Sequence, residues 1–240
     1  AVRDFDGDGL RDLVATCWSS DALVVLPGDA DTYFGMPVFL EAPGAPRDLA
    51  LGDFDGDGHT DLAVAMYATN EVALWKGDGA LGFEEVTRFP TRGRLPTCVR
   101  TADFNGDDKT DLAVAHRYTD DSIVLFFGED DFQFGLSREL MLGKNRDVLE
   151  YGIRDITVTD LNDDGRVDIA TACYAAGVTT VLLNESGGST APLRFRTETY
   201  RFPDARPRAV CAADFNGDGR QDLAVALWEA NAVGLLMQRE

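Results

Sequence analysis

Apolar residues in this chain come in short runs. Between residues 47 and 95, "RDLALGD", "DLAVA", "EVALWKG" and "GFEEVTRFP" follow one another, with Gly, Asp, Asn, Thr and Pro between them. Runs of this length, rich in Val, Leu and Phe and bounded by turn formers, predict strands. No segment combines caps with a 3.6-residue period over the ten or more residues that a helix needs. The "DLAVA" runs contain the helix former alanine, but their five-residue length and flanking turns favour strand.

The same order of runs returns along the chain. "VRDFDGDGLRDLVATCW", "LGDFDGDGHTDLAVAMY", "TADFNGDDKTDLAVAHR", "VTDLNDDGRVDIATACY" and "AADFNGDGRQDLAVALW" align, with first aspartates at Asp4, Asp53, Asp103, Asp160 and Asp214, so the period is 49 to 57 residues. A four-stranded unit of this size cannot bury both faces alone, and radial stacking of such units gives a β-propeller. The expected fold is therefore all-β: a propeller of four-stranded antiparallel blades, with approximate bounds 1–46, 47–95, 96–152, 153–206 and 207–240. An array of two-sheet sandwiches is the alternative. "AVRD" supplies only the end of a first strand and "VGLLMQRE" stops on a third strand, so the expectation is either a five-bladed ring or part of a larger one.

Each acidic loop lies between the first two strands of its unit. Calcium takes six to eight oxygens, from side chains at alternate positions of a short loop and one backbone carbonyl. Positions 1, 3, 5 and 9 supply side-chain oxygens from Asp4, Asp6, Asp8 and Asp12; Asp53, Asp55, Asp57 and Asp61; Asp103, Asn105, Asp107 and Asp111; Asp160, Asn162, Asp164 and Asp168; and Asp214, Asn216, Asp218 and Asp222. Position 7 offers the carbonyls of Leu10, His59, Lys109, Arg166 and Arg220. Solvated turns would use the same residue types, but five copies with the same oxygen positions favour a metal site in each repeat. An EF-hand is excluded, because position 12 holds Ala15, Val64, Val114, Thr171 and Val225 where that motif needs Glu. Asp108 replaces the turn glycine in the third loop, which makes it the expected weakest site, and Asp163 replaces a glycine in the fourth.

The loop D-x-[D/N]-x-D-G-x-x-D in this strand context resembles that of the FG-GAP/VCBS family of integrin-type β-propellers, over essentially the whole chain. Phe34-Gly35, Gly82-Phe83 and Phe134-Gly135 keep part of the family's Phe-Gly signature. The resemblance implies a calcium-stabilised extracellular module that binds protein or glycan. Related calcium propellers also occur as polysaccharide lyase domains, so an enzyme domain is the alternative.

Charge sharpens this picture. A formal net charge of −20 repels nucleic acid and anionic membranes and favours cations. No apolar run is long enough to span a bilayer. Calcium loops of extracellular modules work at ~10⁻⁴–10⁻³ M, above cytosolic calcium, so a secreted or cell-surface location is expected. Cys17, Cys98, Cys173 and Cys211 form no zinc motif and are expected as small buried residues, with a disulfide between neighbouring repeats left open. Asn184-Glu185-Ser186 is a glycosylation sequon or a turn.

The end of the blade away from the loops is the expected ligand face. Trp18, Tyr67, Arg117 with Tyr118, Tyr174 and Trp228 follow the second strands, polar Asp21, Asn70, Asp120, Asp121 and Asn231 come next, and Arg47, Arg154 and Arg208 begin first strands. Such groups stack on sugars and clamp carboxylates, or simply fill gaps between blades. Catalysis has little support: there are two histidines, and His59 lies in a loop. His116 stands where other repeats carry Cys17, Met66, Cys173 and Leu227, which makes it either a ligand-face candidate or a satisfied core histidine.

Overall fold

The computed structural model describes residues 1–117, 122–142, 152–188 and 192–238. Four antiparallel sheets of four strands and one of three follow one another in the chain. The second sheet runs Pro46–Gly52, Asp61–Met66, Glu71–Gly77 and Phe83–Pro90, each strand paired with the next. The third runs Pro96–Ala102, Asp111–His116, Ser122–Gly128 and Phe134–Met141, and the fourth Ile153–Thr159, Asp168–Cys173, Val178–Asn184 and Phe195–Arg201. The first sheet has Val2–Arg3, Asp12–Cys17, Ala22–Leu26 and Val38–Glu41, and the fifth has Pro207–Ala213, Asp222–Leu227 and Ala232–Leu236. The one helical turn among the described residues is a short 3₁₀ piece, Trp18–Ser20.

Alternation along each strand builds two apolar faces, and successive sheets bury one against the next. Val14, Leu23 and Val25 of the first sheet pack on Leu62, Val64, Met66 and Trp75 of the second. Ala63, Ala65, Val72 and Leu74, on the other face of the second sheet, pack on Leu112, Val114, Val124 and Phe126 of the third. Because both faces are covered, the second strands of sheets two to four are buried at every position. First strands of adjacent sheets also touch, which sets them around a common centre.

There, an ion-pair clamp joins three sheets. Arg100 of the third sheet donates to Asp48 of the second at 2.6 Å and to Asp155 of the fourth at 2.9 Å. The same two carboxylates accept backbone N–H groups of the following sheets, Val99 and Val210, each at 3.0 Å. Burial raises the Asp155 carboxyl above the usual range.

The two end faces are open. Position 2 of the first four acidic loops anchors in the next sheet, so Phe5, Phe54, Phe104 and Leu161 are at most 8% exposed, whereas Phe215 of the fifth sheet is 45% exposed. Val233 and Leu235 on the same face are 66% and 54% exposed. The cysteines follow this gradient. Cys98 and Cys173 are buried as expected, but Cys17 and Cys211, on the uncovered faces, are half-buried and exposed; all four are free thiols.

Candidate functional site

The five loops share one backbone. Positions 4 and 6 take left-handed φ in every copy, for example +77° at Gly7 and +88° at Gly9. Glycine adopts this freely. Asp108 at +66° and Asp163 at +60° adopt it in spite of their side chains. The position-1 aspartate organises the turn, since Asp53 accepts the N–H of Gly56 at 2.8 Å and of Gly58 at 3.0 Å. The same pair of bonds forms on Asp4 and Asp214.

Position 9 has a role that the motif alone does not reveal. Asp12, Asp61, Asp111, Asp168 and Asp222 are fully buried. One oxygen of each accepts the position-2 N–H, at 2.8 Å from Phe5, Phe54, Phe104 and Leu161 and 3.1 Å from Phe215. The other accepts an N–H at the end of the third strand, from Gly28, Gly77, Gly128, Asn184 and Gln238. This carboxylate is thus a strut between loop and third strand, with lone pairs left over for a cation. Close approach explains the glycine there: a Cβ on Gly77 would lie 2.2 Å from the Thr60 carbonyl oxygen. Burial pushes the carboxyls of Asp111 and Asp168 up to about 6, and that of Asp61 in the same direction, against these amide bonds.

A divalent cation fits this donor set. Carboxylate oxygens of Asp4, Asp6 and Asp8 lie within 4.8 Å of one another, as do those of Asp53, Asp55 and Asp61. In the third loop Asn105 Oδ1 is buried with no hydrogen-bond partner among the described residues. A hard cation would satisfy it and offset the repulsion among carboxylates.

The loops differ in their own cations. Among the described residues no lysine or arginine pairs with Asp4, Asp6 or Asp8. In the second loop the Lys76 ammonium contacts Asp55 and lies 2.8 Å from Asp57. Arg166 pairs with Asp164, and Arg220 with Asp218 at 2.9 Å. Lys109 turns away from its loop to Asp130, at 2.9 Å. The motif shows position 7 as a carbonyl donor; that its side chain, or one from the third strand, reaches the loop carboxylates emerges only from the fold.

At the opposite rim, some six residues or about 20 Å further along the second strand, aromatic and guanidinium groups interleave. The Arg47 guanidinium lies 5.5 Å from the Trp18 ring and 5.8 Å from that of Tyr67. Arg154 and Arg206 stack on Tyr174 at 5.1 and 6.0 Å, and Arg208 on Trp228 at 4.9 Å. Arg117 donates to the Tyr67 hydroxyl at 3.4 Å.

Three expected site residues serve the scaffold instead. His116 is fully buried, shares a 3.3 Å hydrogen bond with the Ser122 carbonyl, and leaves Nε2 unpartnered. Burial lowers its pKa to about 4, so it is a neutral residue of the core. Asn70 sits at φ +60° and accepts the Leu95 N–H at 2.7 Å, pinning the link to the next sheet. Asp21 does the same for Gly44 and Ala45. Short side chains that tolerate left-handed φ suit this task. Asn184 is no sugar acceptor: it is buried and donates to the carbonyls of Phe104 and Val167. Tyr118, Asp120 and Asp121 lie outside the described residues.

Comparison with known proteins agrees with this architecture. The family model for the FG-GAP-like repeat matches residues 4–64, 53–114, 103–171 and 160–225. No curated protein sequence matches the chain significantly. Among solved structures, a catalytically inactive virginiamycin B lyase of Staphylococcus aureus with quinupristin is 16% identical, with a TM-score of 0.60 over 99% of this chain and 66% of that one. A candidate 6-phosphogluconolactonase of Bacteroides uniformis is 14% identical, with a TM-score of 0.67 over 95% and 64%. The chain thus spans slightly less than two thirds of these structures. The likeness is one of fold, the β-propeller.

Proposed function

The chain belongs to the FG-GAP-like repeat family, and from that premise we propose that it is a calcium-stabilised β-propeller module that binds a protein or glycan outside the cell. The observation that carries this is the division of labour between the two rims. The acidic loops, with their buried position-9 struts, all lie at one end of the sheets and hold first, second and third strands together. The opposite end presents Trp18 and Trp228, 51% and 60% exposed, among arginines. Repeats of this family generally bind calcium, and the all-oxygen donor set suits that ion. Calcium at extracellular concentrations would fill loops of this type, which supports the location.

Calcium here is structural and recognition takes place at the far rim. An array of glycans and extracellular proteins, probed with the chain in ~1 mM calcium and again in chelator, tests the proposal. Calcium-dependent binding that leaves the bound compound intact is the expected result. Cleavage of a bound polysaccharide overturns it in favour of an enzyme domain such as a lyase, and absence of binding to every class overturns it outright.

A further inference from the structure

Arg47 and Arg208 are held in place yet have no acidic partner among the described residues. Arg88, Arg100, Arg166, Arg196, Arg206 and Arg220 each pair with at least one of the chain's 42 Asp and Glu. Among the described residues, the guanidinium groups of Arg47 and Arg208 make ring contacts but no hydrogen bond or ion pair. Each group has five N–H donors in a planar fork that matches a carboxylate or sulfate. Ring contact fixes the plane of the guanidinium, so little rotamer freedom is left to lose on binding.

We propose that this rim binds an acidic polysaccharide, with the guanidinium edges of Arg47 and Arg208 taking uronate carboxylates or sulfate esters and the exposed indoles of Trp18 and Trp228 taking the apolar faces of sugar rings. This rests on the binding-module function proposed above. Two features favour sugar over acidic peptide. Each arginine comes with a half-exposed tryptophan face, the flat platform a pyranose ring needs. The second arginine also borders a cleft of about 450 Å³ whose polar lining is Arg154, Asp155, Arg208, Trp228 and Asn231, with the Asp155 carboxylate already paired with Arg100, and the cleft is open enough for a chain to lie along it. The net charge of −20 does not prevent this. The acidic loops lie about 20 Å away, beyond the screening length of about 8 Å at physiological ionic strength.

Biolayer interferometry of the calcium-loaded chain decides it, with oligogalacturonates short enough not to gel with calcium, heparin fragments, neutral galactan oligomers and poly-glutamate as probes. The expected result is salt-sensitive binding of the uronate or heparin probe, weakened about tenfold or more by Arg47→Gln and by Arg208→Gln. Unchanged circular dichroism and melting temperature show that the variants fold. The two anionic sugar probes separate carboxylate from sulfate recognition. Equal binding of neutral galactan, tighter binding of poly-glutamate, or glutamine variants that bind like the original chain would overturn the inference. A neutral glycan or protein bound in a Trp18- or Trp228-dependent way would leave the module function standing and remove only the acidic-sugar assignment; no ligand of any class removes both.

Discussion

The ammonium of Lys76 lies 2.8 Å from Asp57 Oδ2 and also contacts Asp55, so a side chain of the third strand occupies the acidic loop of its own blade. These contacts raise the Lys76 pKa, and the group is charged throughout the physiological range. Under the proposed calcium binding, the ion and Lys76 would compete for the same two carboxylates. Lys76→Met is therefore expected to tighten calcium binding at the second loop by about tenfold while lowering the melting temperature in chelator. Terbium luminescence titration and thermal melts with and without chelator read both effects; an unchanged affinity would mean that the ammonium moves aside at no cost.

The first loop is the opposite case. Asp4, Asp6 and Asp8 crowd within 4.8 Å without a basic partner among the described residues. At ~1 mM calcium and a Kd of ~10⁻⁴ M, a site of this type adds about 1.4 kcal/mol. Chelation is expected to lower the melting temperature, with the largest share lost at this loop. Asp6→Asn, which copies the third to fifth loops, should raise stability in chelator and lower it in calcium. A variant with the same melting temperature in both media would refute the assignment.

Asp108 at φ +66° stands where four other loops carry glycine. Left-handed backbone costs a non-glycine residue roughly 1 kcal/mol, less for Asp. Asp108→Gly should stabilise the chain by up to about that amount and strengthen calcium binding at the third loop, as measured by denaturant titration and calorimetry.

His116 sets a pH dependence of its own. Its pKa is about 4 in the folded chain, against an ordinary value of 6.5. The unfolded chain therefore binds more protons across this interval, and stability falls as pH drops below 6.5. Between pH 7 and 5 the loss from this group is about 2 kcal/mol. His116→Met, copying Met66, should flatten the curve there. An unchanged slope in urea melts at pH 7 and 5 would show that another group governs it.

Much of the architecture was legible in the residues. Short apolar runs at a 49- to 57-residue period announced stacked sheets, and Asp-Gly spacing announced the loops, because left-handed turns and oxygen donors are local requirements. The repeated position-9 aspartate was legible as a ligand candidate. Its role as a strut was not, because the acceptor bond from Gly77 spans 16 residues. Asn184 read equally as a glycosylation sequon or a turn residue, and its side-chain amide bond to the Phe104 carbonyl, 80 residues away, comes only from the fold.

Local pattern by itself determined the repeat, the strand order and the loop backbone, since each depends on a few neighbouring residues. Only the tertiary structure decided which side chains meet across blades. Packing buried His116, joined Asp48, Arg100 and Asp155 across three sheets, and left Arg47 and Arg208 stacked on aromatic rings without a carboxylate among the described residues. Those contacts link residues up to about 55 positions apart, and their partners are chosen by the register and stacking of whole sheets.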